Sequence, residues 1–324
     1  MSKRYPKVSV MVVTYNQERY IRETLDSVVN QSYPNLEVVV ADDCSTDLTQ
    51  KIIEEYQLRF PGIVKPVFNL KNLGITGNCN AAFYACTGEF IAMMGGDDLC
   101  LPEKILRQAM QFEQDPDVVL SYHAVEIFNS DDKKLIFTTN QTPKEDLANA
   151  YEILTKGGIP GAASVMARRS ACPSGGFDSR LATVSDWLFY IEVALRGRVV
   201  KLNGIYGKYR KHGEGASNRT LQLLQETLKT FEILLAKYPS DNRLLEACRV
   251  AKARYLAGEV FRQIVIGNGA LAHALCEQIL SIQKRPRYVA MATVAFLIMK
   301  FPILSPAISY PLRISKAILK RALG

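Results

Sequence analysis

The sequence predicts an α/β fold in which helices flank a mostly parallel sheet, followed by a helical C-terminal extension. Over residues 7–130, continuous apolar and β-branched runs alternate with helical patterns, an order typical of parallel strands buried on both faces. Beyond residue 217 the pattern is helical throughout. The 324 residues are 48% hydrophobic and 22% charged, as in a globular protein with a sizeable core, which excludes a disordered chain or a multi-span membrane protein.

The individual elements follow from the same patterns. Residues 8–13 predict the first, central strand, and residues 18–30 predict a helix with apolar side chains at helical spacing. Ser45 or Thr46 can cap the second helix, and Pro102 can open the fourth. The other predicted strands span 36–41, 63–68, 90–94, 199–202 and 205–209. The second helix is expected to end near residue 57 and the fourth near residue 114, and two further helices span 76–86 and 185–195.

Three segments are expected. An α/β domain spans residues 1–217, and a helical extension spans 218–283, with breaks at Pro239 and at residues 267–269. The extension could pack on the core or form the interface of a homodimer. The third segment, residues 284–324, is a basic apolar tail.

The net charge of +8 belongs to this tail. Residues 281–324 hold eight basic and no acidic residues, which leaves 32 of each sign in residues 1–280. A nucleic-acid-binding protein would spread basic residues over a working face, so no nucleic-acid partner is expected.

The tail combines its charge with apolar runs. Residues 288–299 are uncharged, and prolines at 302, 306 and 311 argue against one straight membrane-spanning helix. We therefore predict an interfacial segment whose basic residues face anionic headgroups at the cytoplasmic membrane surface. A buried helix pair with a solvated basic face is the alternative.

The cysteines and the N-terminus predict the compartment. The seven cysteines are odd in number and contain no CxxC pair, which favours reduced thiols over disulfides or a zinc site. The N-terminus shows no apolar signal-peptide segment. We therefore expect a cytoplasmic protein, peripheral on the inner face of the cell membrane.

Polar side chains follow three predicted strands at their carboxyl ends, the edge where open parallel sheets bind ligands. Four carboxylates meeting there would repel one another, which predicts one divalent cation, Mg²⁺ or Mn²⁺, bound together with phosphate oxygens. Alternatively, each acidic pair alone acts as a turn former or helix cap. The groups are Thr14-Tyr15-Asn16 after the first strand, Asp42-Asp43 after the second and Asp97-Asp98 after the fourth.

Several common sites are excluded by their missing motifs. The sequence has no P-loop, and the turn after the first strand has no glycine, which argues against dinucleotide binding. It also has no paired-histidine zinc motif and no GxSxG nucleophile elbow.

The order and spacing of these strand-end motifs, together with Asn72-Leu73-Gly74, Gly88-Glu89 and Pro102, resemble a family 2 glycosyltransferase with the GT-A fold. The resemblance covers residues 7–125 well and residues 160–217 more loosely. It implies an enzyme of the bacterial surface-polysaccharide type that transfers a hexosyl or N-acetylhexosaminyl group from a nucleotide sugar, usually a UDP-sugar. The QxxRW motif of processive synthases is missing, which favours a single addition.

The resemblance implies the contacts of the nucleotide-sugar donor. Asp43 would accept a hydrogen bond from the base, and Thr14 and Tyr15 would line the base and ribose pocket. Asp97 would lie near the ribose or sugar, and Asp42 belongs to the same donor-binding set.

Three further residues would take part in the chemistry. Asp98 would bind the metal, and Asp186 occupies the position of the family's catalytic base. His212 lies in a segment, residues 209–212, where the family places an Arg or His near the diphosphate or metal; a solvated loop histidine is the alternative. Trp187 could stack on a sugar face or belong to the core of its helix.

The sequence departs from the family pattern at three positions. Gly95 replaces the first carboxylate of the longer acidic motif, so the metal would depend on Asp98, phosphates and water. Cys44 stands where glycine is usual, and Cys79 where arginine is common.

The leading hypothesis is an inverting, metal-dependent glycosyltransferase that acts on a lipid-linked or membrane-presented glycan, as in surface polysaccharide or lipopolysaccharide assembly. A sugar nucleotidyltransferase is one alternative, although residues 14–17 lack the glycine-rich basic loop expected for a triphosphate. A non-catalytic module that binds nucleotide sugars is the other, because of Gly95 and Cys79.

Overall fold

The computed structural model describes residues 5–142, 146–212 and 220–301. The chain divides into two compact units, residues 1–219 and 220–324. The boundary predicted at residue 217 falls in the stretch 213–219, outside the described residues.

A mixed sheet forms the centre of the first unit. Its nine described strands are β1 (Val8–Thr14), β2 (Leu36–Asp42), β3 (Val64–Phe68), β4 (Phe90–Gly95), β5 (Leu99–Cys100), β6 (Val118–Asn129), β7 (Leu135–Thr138), β8 (Met166–Arg168) and β9 (Arg198–Lys211). Their order is β3-β2-β1-β4-β8-β6-β9-β5, with β7 paired to β6. Strands β1 to β4 are parallel, β8 is antiparallel to both its neighbours, and β6 is parallel to β9.

The predicted fold class is confirmed, but the strands differ in number: β5, β6, β7 and β8 are additional to the predicted ones. The two strands predicted at 199–202 and 205–209 form the single strand β9. In the register with β6, Leu202 pairs with His123 and Ile205 with Ala124, so the two residues between them form a bulge. The break in the sequence pattern marks an irregularity within one strand.

Helices cover both faces of the sheet. Apolar side chains of β1, β2 and β4 pack against the first, second and fourth helices in one continuous core. The helices of this unit are α1 (Ile21–Val29), α2 (Thr49–Arg59), α3 (Gly74–Ala85), α4 (Lys104–Gln114), the short α5 (Ala150–Glu152) and α6 (Ser185–Ala194).

The predicted helix starts need correction. Helix α2 begins at Thr49 without a side-chain cap, because Ser45 donates to Asp42 and Thr46 donates to Asn16 Oδ1 instead. Helix α4 begins two residues after Pro102, because Glu103 adopts a left-handed conformation with a φ of +65°.

Strand register brings the predicted polar turns to one edge. Thr14 of β1 pairs with Asp42 of β2, and Val13 of β1 pairs with Gly95 of β4. The three strands are parallel, so the residues after them emerge side by side.

The second unit is helical, as predicted. Gly267, with a φ of +84°, ends the second of its described helices, and the Asn268 side chain accepts a hydrogen bond from the Leu271 amide at the start of the next. The described helices are α7 (Thr220–Lys237), α8 (Asn242–Ile266), α9 (Gly269–Ile282) and α10 (Pro286–Lys300).

Helix α10 covers the described part of the basic apolar tail. Tyr288, Ala295 and Ile298 pack in a core shared with α8 and α9, as in the predicted alternative of a buried helix pair. Val289 and Phe296 remain 50% and 41% exposed, so the helix also presents apolar side chains to solvent. No helix among residues 5–142, 146–212 and 220–301 is long and apolar enough to cross a membrane. Residues 302–324 lie outside the described residues, and membrane contact stays a prediction.

Candidate active site

Asp42 and Asp43 begin the β2 turn, residues 42–46. Asp42 is fully buried, and its carboxylate accepts hydrogen bonds from the Ser45 amide at 2.9 Å and from Gln50 Nε2 at 2.6 Å. The Ser45 hydroxyl donates to its other oxygen. The side chain of Asp42 thus holds the turn together and presents no surface.

Asp43 points the other way along the sheet edge. Its Oδ1 accepts from Asn69 Nδ2 at 3.0 Å and from the Leu73 amide at 2.8 Å, and its Oδ2 accepts from the Gly74 amide at 2.9 Å. Gly74 is the first residue of α3 and has a φ of +76°. The negative charge therefore lies at a helix N-terminus, which stabilises it.

Thr14 and Tyr15 follow β1 beside this turn. Thr14 is buried, and its hydroxyl donates to Gln17 Oε1 at 2.8 Å. A Cβ at Gly96 would lie 2.7 Å from Thr14 Cβ, so only glycine allows the β4 turn to approach here. Tyr15, 46% exposed, is the accessible side chain of this group.

Cys44 occupies a left-handed conformation with a φ of +62°. Glycine adopts this conformation without strain, whereas other residues pay about 1 kcal/mol or more. The departure from the family's glycine thus places a strained residue inside the β2 turn.

Asp97 and Asp98 lie in the β4 turn, residues 95–98. A Cβ at Gly95 would be 2.7 Å from Asp97 Oδ1 and 3.4 Å from Asp98 Oδ2, so both carboxylates lie over this glycine. Asp97 Oδ2 is 2.8 Å from His212 Nε2, and its side chain is 20% exposed. Asp98 is only 3% exposed, and its Oδ1 accepts from the Arg210 amide at 3.0 Å.

The β4 turn concentrates negative charge in a buried place. Burial and the Asp97 charge raise the pKa of Asp98 well above its ordinary value, against the Arg210 amide and guanidinium, which lower it. Two carboxylates and an imidazole are suitable ligands for Mg²⁺ or Mn²⁺, and a cation would offset this repulsion. No group of three or more His, Cys, Asp or Glu side chains among the described residues could hold a metal ion by itself, so the β4 turn fits the predicted ion only as one or two protein ligands shared with phosphate oxygens and water.

Asp186 is the second residue of α6, and its Oδ1 accepts from the Trp187 amide at 2.8 Å. Burial raises the pKa of Asp186 to about 6, so the group is still mainly ionised at neutral pH. Burial likewise raises the pKa of Cys79 to about 12, with the charges of Asp186 and Asp43 adding to the shift. Cys79 of α3 thus lies near both carboxylates.

The Thr76 hydroxyl of α3 and the Ser185 hydroxyl of α6 lie 2.8 Å apart and link the two helices by a hydrogen bond. The indole of Trp187 lies against Gly158, whose Cβ would be 3.3 Å from Trp187 Nε1. Trp187 is partly buried, so its position suits both a packing role and a sugar contact.

Arg210 takes a place that the sequence does not indicate. Its side chain is fully buried and donates from Nε to the Asp97 carbonyl oxygen at 2.7 Å, and from Nη2 to Glu23. Of the segment 209–212, His212 therefore faces the Asp97 carboxylate while Arg210 lies behind the turn. Glu23 and Thr24, which also touch this assembly, belong to α1 and carry no motif that sequence inspection could detect.

Comparison with known proteins agrees with this geometry. The family model "Glycosyl transferase family 2" matches residues 9–172, just over half of the chain. An uncharacterized protein of Mycobacterium tuberculosis is 32% identical over 213 residues, which span 64% of this chain and 60% of that relative.

Two solved structures are similar in fold. S. aureus TarS 1-349 in complex with UDP-GlcNAc gives a TM-score of 0.65 at 20% identity, covering 94% of this chain and 89% of that fragment. The mannosyltransferase PcManGT from Pyrobaculum calidifontis, in complex with GDP-Man and Mn2+, gives 0.59 at 20% identity, covering 98% and 87%. The match of the family model, the GT-A architecture shared with these enzymes and the strand-end motifs lead to one conclusion: the chain belongs to glycosyl transferase family 2.

Proposed function

We propose that the chain is an inverting, metal-dependent glycosyltransferase that moves a sugar from a UDP-sugar to a hydroxyl of a lipid-linked or membrane-presented glycan. The observation that carries this proposal is the meeting of Asp97, Asp98 and His212 at the sheet edge that also holds Asp43. The TarS complex with UDP-GlcNAc supports a UDP-sugar as donor.

The donor would lie along the β1, β2 and β4 turns. Tyr15 offers an exposed ring beside the base and ribose, with Thr14 beneath it. Asp43, held in place by Asn69 and two backbone amides, would accept from the base, and Asp42 would support it by ordering the turn.

The cation would be held by the β4 turn. Asp98 would bind it, with His212 or Asp97 as a second protein ligand, and diphosphate oxygens would complete its coordination. When bound, a divalent cation offsets the negative charge that develops on the leaving diphosphate. The Mn2+ in the PcManGT complex supports this cofactor.

Asp186 would act as the base. The acceptor oxygen forms a bond to the anomeric carbon while the bond from that carbon to the diphosphate oxygen breaks, and Asp186 takes the hydroxyl proton. A carboxylate with a pKa of about 6 is a stronger base than an ordinary aspartate and remains ionised at neutral pH. This property favours turnover over a module that only binds.

The acceptor is proposed from the tail. Helix α10 exposes Val289 and Phe296, and the described tail also exposes Lys284, Arg285, Arg287 and Lys300, a composition that suits an anionic membrane surface. Membrane location would bring the enzyme to a lipid-linked glycan.

The test measures thermal unfolding with UDP, GDP and other nucleotides, with and without Mn²⁺, for the parent and for Asp98→Ala. A ligand at ~100 times its Kd stabilises the folded state by about 2.7 kcal/mol. We expect a UDP shift that needs Mn²⁺ and is lost in Asp98→Ala, followed by turnover in a UDP-sugar screen. No shift with any nucleotide would contradict a nucleotide-sugar donor.

A further inference from the structure

The backbone of the β4 turn is held by side chains from outside it. The Thr24 hydroxyl, on α1, lies 3.0 Å from the Gly96 carbonyl oxygen and 2.8 Å from that of Asp98. Arg210 Nε, on β9, donates to the Asp97 carbonyl oxygen between them at 2.7 Å. All three consecutive carbonyls of the turn are therefore within hydrogen-bond distance of two buried side chains.

Arg210 is itself rigidly placed. Its guanidinium lies between the rings of Tyr20, at 4.9 Å, and Phe128, at 4.8 Å, and pairs with Glu23. Its side chain has no exposed surface, which rules out direct contact with a ligand in this arrangement. Its backbone amide also donates to Asp98 Oδ1, so one residue contacts the turn at two points.

The same residue places a positive charge close to the acidic pair. Two ionised carboxylates in a buried turn are costly without a counter-charge or hydrogen-bond donors. The Arg210 guanidinium, bonded to the Asp97 carbonyl from behind, offsets part of that cost and leaves the opposite side of the carboxylates open to His212.

We infer that Arg210 and Thr24 are positioning residues, which fix the β4 turn so that Asp97 and Asp98 can bind a divalent cation. This inference rests on the proposed function. Residues that orient metal ligands typically change metal affinity about 10–100-fold when they are replaced.

The chain offers a matched control for each variant. Arg168 is also a guanidinium above two rings, Phe90 at 5.2 Å and Phe112 at 5.4 Å. Its Nε donates to the Val118 carbonyl oxygen at 3.0 Å and its Nη2 to that of Phe112 at 2.9 Å. Arg168 pairs with the first residue of β4, at the end opposite the turn. For Thr24, serine keeps the hydroxyl and valine keeps the shape without it.

The experiment measures Mn²⁺ binding in the presence of UDP, by the electron paramagnetic resonance signal of free Mn²⁺. We expect Thr24→Val and Arg210→Lys to raise the Mn²⁺ Kd about 10-fold or more, while Thr24→Ser and Arg168→Lys stay within about threefold of the parent. Thermal unfolding of the two lysine variants identifies effects due to lost stability alone.

Equal Mn²⁺ affinity in the parent, Thr24→Val and Arg210→Lys would overturn the inference, as would an equal loss in Arg168→Lys. If Arg210→Lys does not fold, the comparison of Thr24→Val with Thr24→Ser decides. A parent that binds no Mn²⁺ with UDP would overturn the metal site of the proposed function and this inference with it, whereas unchanged variants overturn only the inference.

Discussion

The β2 and β4 turns each carry two adjacent aspartates, but the groups that surround the two pairs of carboxylates differ. In the β2 turn, three side chains and three backbone amides supply neutral donors to Asp42 and Asp43. In the β4 turn, Asp97 faces His212, and Asp98 is buried with a raised pKa. Neutral donors therefore surround the acidic pair of the β2 turn, whereas the acidic pair of the β4 turn is where we propose that a cation binds.

Asp186 extends the comparison to a fifth carboxylate, and its substitution has the largest expected effect. Burial raises the pKa of Asp186, as it does that of Asp98. We expect Asp186→Asn to lower turnover about 10²–10⁴-fold with little change in donor affinity, because general-base catalysis contributes that much. For the parent, turnover should rise with pH through about 6 as Asp186 ionises. A variant that retains turnover would exclude Asp186 as the base.

The same substitution has a stability effect of known sign. A folded pKa of about 6, above the ordinary aspartate value of 3.8, means that the contribution of Asp186 to stability is present at low pH and is lost as pH rises to about 6. At pH 8, Asp186→Asn should therefore unfold with a free energy up to about 3 kcal/mol higher than the parent. Asparagine can still accept from the Trp187 amide, so urea unfolding at pH 4 and pH 8 isolates the charge; an equal difference at both would contradict burial as the cause.

Asp43→Asn tests the turn that is completed by donors. In this variant, a side-chain NH₂ group replaces one of the two carboxylate oxygens that accept from the Leu73 and Gly74 amides. Two donors then face each other and one backbone amide loses its acceptor, so we expect the free energy of unfolding to fall by about 2–3 kcal/mol. Asp97→Asn is the matched control from the β4 turn, and it removes one of two like charges, so it should cost less than about 0.5 kcal/mol. Equal losses in urea unfolding would show that the two turns do not differ in this way.

Cys44→Gly tests the backbone conformation of the β2 turn and has the smallest expected effect. The left-handed φ of Cys44 suits glycine, so we expect the free energy of unfolding to rise by about 0.5–1 kcal/mol. Cys44→Ala keeps the Cβ and is expected to bring no gain. A gain of the same size in both variants would mean that the sulfur, and not the backbone conformation, is responsible.

The fold and the meeting of the motifs were predictable because both depend on local patterns. Apolar runs such as residues 8–13 mark buried strands, and parallel strands necessarily end at one edge. The single strand β9 was not predictable, because its bulge at residues 203–204 depends on pairing with β6. The predicted starts of α2 and α4 were wrong because Ser45 donates to Asp42 and Glu103 adopts a left-handed conformation.

The sequence by itself determined the α/β class, the family and the four carboxylates of the sheet edge, since spacing and residue type are properties of the chain. Only the tertiary structure decided which hydrogen-bond donors surround each of these carboxylates. Thr24 and Arg210 are separated by more than half of the chain, and they act together only because α1 and β9 meet behind the β4 turn. Burial and hydrogen-bond partners depend on such distant segments, so no local pattern can reveal them.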